Sequence, residues 1–234
     1  RVEQDLKGAP FERRLVTRLL EGIDLQPLVT RHDHPTLGDP AGLPGAAPFT
    51  RGSHPVREPG WDIRQSFAHP SPTATATEIA RDLARGVTSV HLVIDGGGRR
   101  EGVRVTSRDD LAVALDGVDL AAVPVSLDAG VAAPAVARAA LALGMQRGDL
   151  GLDPIGTLAS TGTLPGHIDG ALAEGAALAA GLVGDDLRAA SVDTRAWHAA
   201  GASEDLDLAI AASTGIAWLR AMEAAGLPPE AANG

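Results

Sequence analysis

The chain has 234 residues, enough for one large domain or two small ones, and a formal charge of −10. That acidity argues against a nucleic-acid partner, and the lack of any apolar run of about 18 residues argues against a membrane span. With no cysteine the chain forms neither disulfides nor thiolate metal sites, which fits the cytoplasm; it also has no tyrosine.

The first 60 residues are irregular apart from "APFERRLVTRLLEG", where Phe11, Leu15, Leu19 and Leu20 have helical spacing. The Pro- and Gly-rich run that follows reads as an extended loop or arm. In it His32, Asp33 and His34 are adjacent, but neighbours in extended backbone face opposite ways. A solvated loop is therefore favoured over a metal site.

From residue 61 the pattern becomes a regular alternation. Strands are expected in "WDIRQSF", "VTSVHLVID", "VDLAAVPVSLD", "LGLDPIGTLA" and "LRAASVD". Helices are expected in "TATATEIARDLARG", "TSRDDLAVALDG", "APAVARAALALGMQRG", "HIDGALAEGAALAAGLV" and "SEDLDLAIAASTGIAWLRAMEAAG". Thr106 or Ser107 is placed to cap the second helix, and glycines follow the first three. Roughly five β-α units of this length fit an α/β fold. They suit an open doubly wound sheet or the first part of a (β/α)8 barrel, and spacing alone does not choose.

Asp95, Asp128 and Asp193 end three of the apolar runs, where barrel enzymes place catalytic groups. Acid–base work or a magnesium site is one reading. The favoured reading is that they cap helices or pair with arginines such as Arg99 or Arg195. "DGGGRREG" lacks the phosphate-loop spacing and reads as a loop. His91, inside a strand, is expected to be packed or hydrogen-bonded, and His167 to be exposed at a helix start. Trp197 and Trp218 are read as core or interface anchors, with Trp218 favouring core. The stretch from 48 to 70 gathers Arg51, Arg57, Arg64, two histidines and Trp61 around prolines and glycines. From it, Arg64 alone is retained as a ligand-binding candidate.

The series "LKGAPFERRLVTRLLEGIDLQPLVT", "PFTRG" and "WDIRQ" resembles the amino-terminal half of the adenosylcobalamin-dependent methylmalonyl-CoA mutase family. "VTSRDDLAVALDGVDLAAVPVSLDAG" and "VDTRAWHAAGASEDLDLAIAASTGIAWLRAM" resemble later segments, in family order. The resemblance implies a (β/α)8 barrel, truncated here after about five β-α units. It divides the chain into an amino-terminal helix and subunit-contact arm (1–60) and a partial barrel (61–234). An open sheet edge is expected to need a partner or to self-associate.

The resemblance also implies positions that contact the coenzyme A tail and the substrate, and here most of them differ. Gly52 stands for a tyrosine, His54 for a threonine and Pro55 for a methionine. Pro59 stands for an arginine, and Asp62, which would repel an anionic ligand, for a threonine. Arg64 and Gln65 are kept, and Ser66 stands where the family has an active-site tyrosine. Near the fifth strand Arg195 and Ala196 replace a tyrosine–histidine pair, and His198 lies two places on. A phosphate wants a charge-assisted donor that proline cannot supply, and the radical intermediate wants the missing tyrosines around it.

The pattern resembles the family's non-catalytic small subunit, which implies a catalytic large subunit as partner. Adenosylcobalamin would serve the intact assembly without being ligated by this chain. "HDHPTLG" lacks the aspartate-x-histidine-x-x-glycine spacing of the cobalamin loop, which in the family lies in another domain. Two alternatives stay open: a diverged acyl-CoA isomerase built from Asp95, Asp128, Asp193 and His198, and a scaffold for another protein.

Overall fold

A computed structural model describes residues 2–30, 33, 42–52, 55–56, 61–95, 101–182 and 186–228, with the side chain of Glu3 excepted. His32, His34, His54, Arg57, Pro59, Arg99 and most of the "DGGGRREG" loop lie outside the described residues. The chain divides into two compact units, residues 1–61 and 62–234.

The first unit contains helices α1 (Val2–Asp5) and α2 (Phe11–Leu15) and the short strands β1 (Thr17–Arg18) and β2 (Asp24–Leu25). The helix expected over "APFERRLVTRLLEG" is therefore corrected: it stops at Leu15, and β1 pairs antiparallel with β2. Leu19 donates to the Ile23 carbonyl (2.9 Å), and Gly22 sits at φ 78°, closing the turn. Leu20 is 92% exposed. An amphipathic helix draws most of its stability from burying its apolar face; with none buried, β-branched Val16 and Thr17 and the Gly22 turn prevail. Asp33 accepts bonds from the Thr30 backbone N–H (2.7 Å) and hydroxyl (2.6 Å), as a loop residue does.

The second unit begins with β3 (Arg64–Phe67), α3 (Pro72–Leu83), β4 (Ser89–Asp95), β5 (Val103–Arg104) and α4 (Arg108–Ala114). It continues with β6 (Val125–Asp128), a 3-10 turn at Gly130–Ala132, α5 (Ala133–Ala142), β7 (Arg147–Leu152) and α6 (Pro154–Thr161). Last come α7 (Ile168–Ala180), β8 (Asp186–Ala190), α8 (Arg195–Ala199) and α9 (Glu204–Ala224). The sheet order is β3-β4-β6-β7-β8, every pair parallel, with β5 adding to the end of β4. Each main strand lies beside its predecessor. A doubly wound sheet reverses direction at a switch point, whereas a barrel does not, so the topology is that of a partial (β/α)8 barrel.

Period-two alternation sorts the strand residues. On β4, Val90, Leu92 and Ile94 are fully buried on the helix side, leaving Ser89, His91, Val93 and Asp95 on the other face. Each buried aliphatic contributes about 1.5–3 kcal/mol. Ser107, one of the two expected caps, caps α4 in a reciprocal box with Asp110, and the structure adds Ser71 as the cap of α3. The glycines after α3, α4 and α5 (Gly86, Gly117, Gly144) all have positive φ. Trp218 of α9 is 3% exposed, packs on Gly175 of α7, and donates to the Ser191 carbonyl (3.2 Å). A Cβ at position 175 would lie 2.5 Å from that ring, so glycine fixes the α7–α9 spacing.

The expected strand "LGLDPIGTLA" is also corrected. The strand is Arg147–Leu152, and α6 begins at Pro154. Asp153 caps α6 by accepting from the Gly156 N–H (2.8 Å), and Pro154 stands where its missing N–H costs nothing. In "VDLAAVPVSLD" only Val125–Asp128 is strand; Asp119 to Val123 form a turn.

Candidate functional site

The inner face of the sheet lines an open cavity of about 1000 Å³, which runs from Arg64 at the amino end of β3 to Asp128, Asp153, Asp193 and Arg195 at or beyond the carboxyl ends of their strands. Its polar lining includes Arg64, His91, Ser126, Asp128, Asp149, Asp153, Asp193 and Arg195. Strand register builds this wall: Arg64 lies opposite Ser89, Ser66 opposite His91, His91 opposite Ser126, and Ser126 opposite Asp149. Asp149 owes its position to glycines. Gly148 (φ 116°) and Gly151 (φ 66°) flank it, and a Cβ at either would lie about 2 Å from a β6 carbonyl oxygen. Leu150 and Leu152 point into the core, and Asp149, Gly151 and Asp153, alternating with them, line the cavity.

Each guanidinium nitrogen of Arg64 makes one bond within the chain. Nε donates to Ser89 Oγ (3.2 Å), one terminal nitrogen to Asp149 Oδ2 (3.3 Å) and the other to Asp62 Oδ2 (3.3 Å). Asp62 also accepts from Ser89 Oγ (2.6 Å) and Thr88 Oγ1 (2.6 Å), and Asp149 from Ser126 Oγ (2.6 Å). Burial pushes the Asp62 carboxyl up, but the Ser89 and Thr88 hydroxyls and the Arg64 charge outweigh it and hold the group below its ordinary range.

A second cluster lies at the carboxyl ends of β6, β7 and β8. Arg195 Nε donates to both carboxylate oxygens of Asp193 (2.8 Å each), and its guanidinium reaches Asp128 at 3.5 Å. The hydrogen bonds to Asp193 raise the Arg195 pKa, so it is cationic throughout. Asp153, 9% exposed, accepts from the backbone N–H of Gly156 on one oxygen and of Asp193 on the other (2.8 Å each). Burial pushes its pKa up; those two N–H groups offset part of the rise, and the Asp193 charge adds to it.

The sequence candidates separate accordingly. Asp128 and Asp193 converge on Arg195, as the pairing reading expects, and neither has a histidine beside it among the contacts described. His198 is on α8, pairs with Asp207 (3.0 Å), and is not among the residues lining the cavity; nor is Asp95. Ser66, where the family has a tyrosine, faces His91 Nδ1 at 3.2 Å. His167 is exposed at the start of α7. No group of three or more metal-ligating side chains exists among the described residues. Sequence reading missed Asp149, Ser126 and Asp153. Asp153 had a signal, a cap residue before proline, whereas Asp149 and Ser126 become partners only through the sheet register.

Of the described histidines (His69, His91, His167 and His198), only His91 lines the cavity, where its Nδ1 lies 3.2 Å from Ser66 Oγ; the residues present there do not assign a cobalamin site to this chain.

A partial parallel barrel whose inner cavity holds two arginines, each bound by the chain's own carboxylates, defines the class. The methylmalonyl-CoA mutase family matches residues 18–233, and the chain belongs to that family. It is 40% identical to the methylmalonyl-CoA mutase small subunit of Streptomyces virginiae, over 98% of this chain and 37% of that protein. It is 32% identical to the small subunit of Propionibacterium freudenreichii subsp. shermanii, over 94% and 34%. The methylmalonyl-CoA mutase of Cereibacter sphaeroides is 33% identical over 53% of the chain and 20% of its own length. The chain thus spans about a third of the length of the small subunits it matches.

Proposed function

We propose that this chain is a barrel-bearing portion of the non-catalytic small subunit of a heterodimeric, cytoplasmic methylmalonyl-CoA mutase. It supports a catalytic large subunit, which interconverts methylmalonyl-CoA and succinyl-CoA by radical rearrangement and holds the adenosylcobalamin. The observation that carries the reading is the state of Arg64. It is the residue we assign to any contact with an acyl-CoA, and three of its five N–H donors already serve Asp62, Ser89 and Asp149. A phosphate or carboxylate must compete with two resident carboxylates for it and enter a cavity lined by further carboxylates. The absence of tyrosine supports the same reading, since no shift of register restores the residues that would enclose a radical. Similarity to proteins named small subunit over nearly the whole chain supports it further.

Isothermal titration of the purified chain with methylmalonyl-CoA and with coenzyme A tests the proposal, together with co-purification on a mutase large subunit. No heat in the millimolar range and a stable complex are expected. Micromolar acyl-CoA binding abolished by Arg64→Ala would overturn the non-catalytic reading and put a diverged isomerase in its place.

A further inference from the structure

Asp62, Ser89 and Arg64 form a closed ring. Ser89 Oγ accepts from Arg64 Nε and donates to Asp62 Oδ2, and that same oxygen takes an Arg64 terminal N–H. The other Asp62 oxygen is held by Thr88 (2.6 Å), so the carboxylate is fixed from both sides. On the far edge of the guanidinium, Asp149 Oδ2 takes the second terminal nitrogen and is itself held by Ser126. An arginine side chain has five N–H donors in a planar fork, and an incoming oxyanion seeks the edges that these two carboxylates occupy.

We propose that Asp62, with Asp149, is a built-in counter-ion that occupies Arg64 in place of a ligand's oxyanion. The pair thereby determines the specificity of the Arg64 end of the cavity against carboxylate and phosphate ligands. The inference rests on the reading of this chain as one that does not bind acyl-CoA, and it adds the residues responsible. A carboxylate two positions from the arginine acts at the effective concentration of a tethered group, which a free ligand must outcompete. A second anion would also stand within contact range of two existing ones. Asp62 stays ionised well into acid, so mild acidification does not release the arginine.

The test titrates the full chain and its Asp62→Asn/Asp149→Asn variant with methylmalonate, inorganic phosphate and coenzyme A. The unmodified chain is expected to give no saturation. The variant is expected to bind at least one of them about tenfold or more tighter, the order expected from regained charge-assisted hydrogen bonds. Adding Arg64→Ala should remove the gain. Methylmalonate alone would identify a carboxylate site, and phosphate or coenzyme A alone a phosphate site. A variant that melts like the unmodified chain and gains nothing overturns the inference while leaving the proposed function standing. So does a gain that survives Arg64→Ala. Tight Arg64-dependent binding by the unmodified chain instead overturns the proposed function.

If the double variant does not fold, labelling with phenylglyoxal mapped by mass spectrometry decides the matter. In the unmodified chain Arg64 should label more slowly than exposed Arg108, and Asp62→Asn should close that gap. Equal labelling of Arg64 with and without Asp62 overturns the inference.

Discussion

Residues 1–61 and 62–234 use apolar side chains in opposite ways. Of the eighteen large apolar side chains recorded as exposed among the described residues, eleven belong to the first unit, among them Leu20, Leu28, Leu43, Val56 and Trp61. None of the described buried core residues does; the core begins at Phe67. The second unit is three times as long and exposes seven. Among the described residues, then, the second unit has a buried core and the first does not. Apolar side chains left in water add little to an interior and stay available for contact with another surface. The two regions therefore answer different tests.

The largest effect is expected in the barrel core. Leu92 is fully buried on β4, between the sheet and its helices. Leu92→Ala should lower the unfolding free energy by about 2–5 kcal/mol, the cost of lost burial plus a cavity. Urea denaturation measures it, and a shift under about 1 kcal/mol would mean that this region has no packed core.

A smaller effect is expected at the mouth, where Asp153 joins the ends of β7 and β8 through two backbone N–H groups. Asparagine keeps one acceptor and places a donor against the other N–H. Asp153→Asn should therefore cost about 1–3 kcal/mol at neutral pH. The pH dependence separates this carboxyl from a general loss of packing. Its folded pKa is raised above the ordinary 3.8, so the unfolded chain ionises first. Only the proton-linked part of its contribution follows pH, being fully present below 3.8 and lost as pH rises through the folded value, while the two accepted N–H bonds act on both sides of that range. That falling limb should be absent from the variant; an unchanged pH profile would count against the two-armed role.

How far these features can be read from sequence depends on whether they are local. The cap at Ser107 and the glycines at 86, 117 and 144 are legible, because their partners lie within a few residues. The five main strands are legible as apolar runs, but α6 hides inside one of them, since "LGLDPIGTLA" is apolar through both a strand and a helix. The helix expected to Leu20 fails for the opposite reason: its spacing is right, but no neighbour buries the face. In the cavity, Arg64 stands out by resemblance, and the sequence marks Asp62 as a like charge beside an anionic ligand. That Asp62 holds Arg64, with Asp149 from 85 residues away, depends on the register of four strands, β3, β4, β6 and β7. So does the choice of barrel over doubly wound sheet, which turns on strand order.

The smallest effect on stability is expected in the arm, and there the comparison is most easily broken. Leu20 is 92%, Leu28 73% and Val56 81% exposed, so polar replacements remove little that folding has taken out of water. Leu20→Ser, Leu28→Ser and Val56→Ser should each change the urea midpoint by less than the equivalent of about 0.5 kcal/mol. If the arm is the subunit-contact surface, the triple variant should nonetheless lose its complex with the large subunit in size-exclusion chromatography. Apolar area buried there contributes about 25 cal/mol per Å² to association and nothing to the fold of the free chain. A triple variant that unfolds at lower urea would place these side chains in a core and erase the distinction between the two regions. One that keeps both its midpoint and its partner would leave the distinction intact and move the contact surface to the barrel.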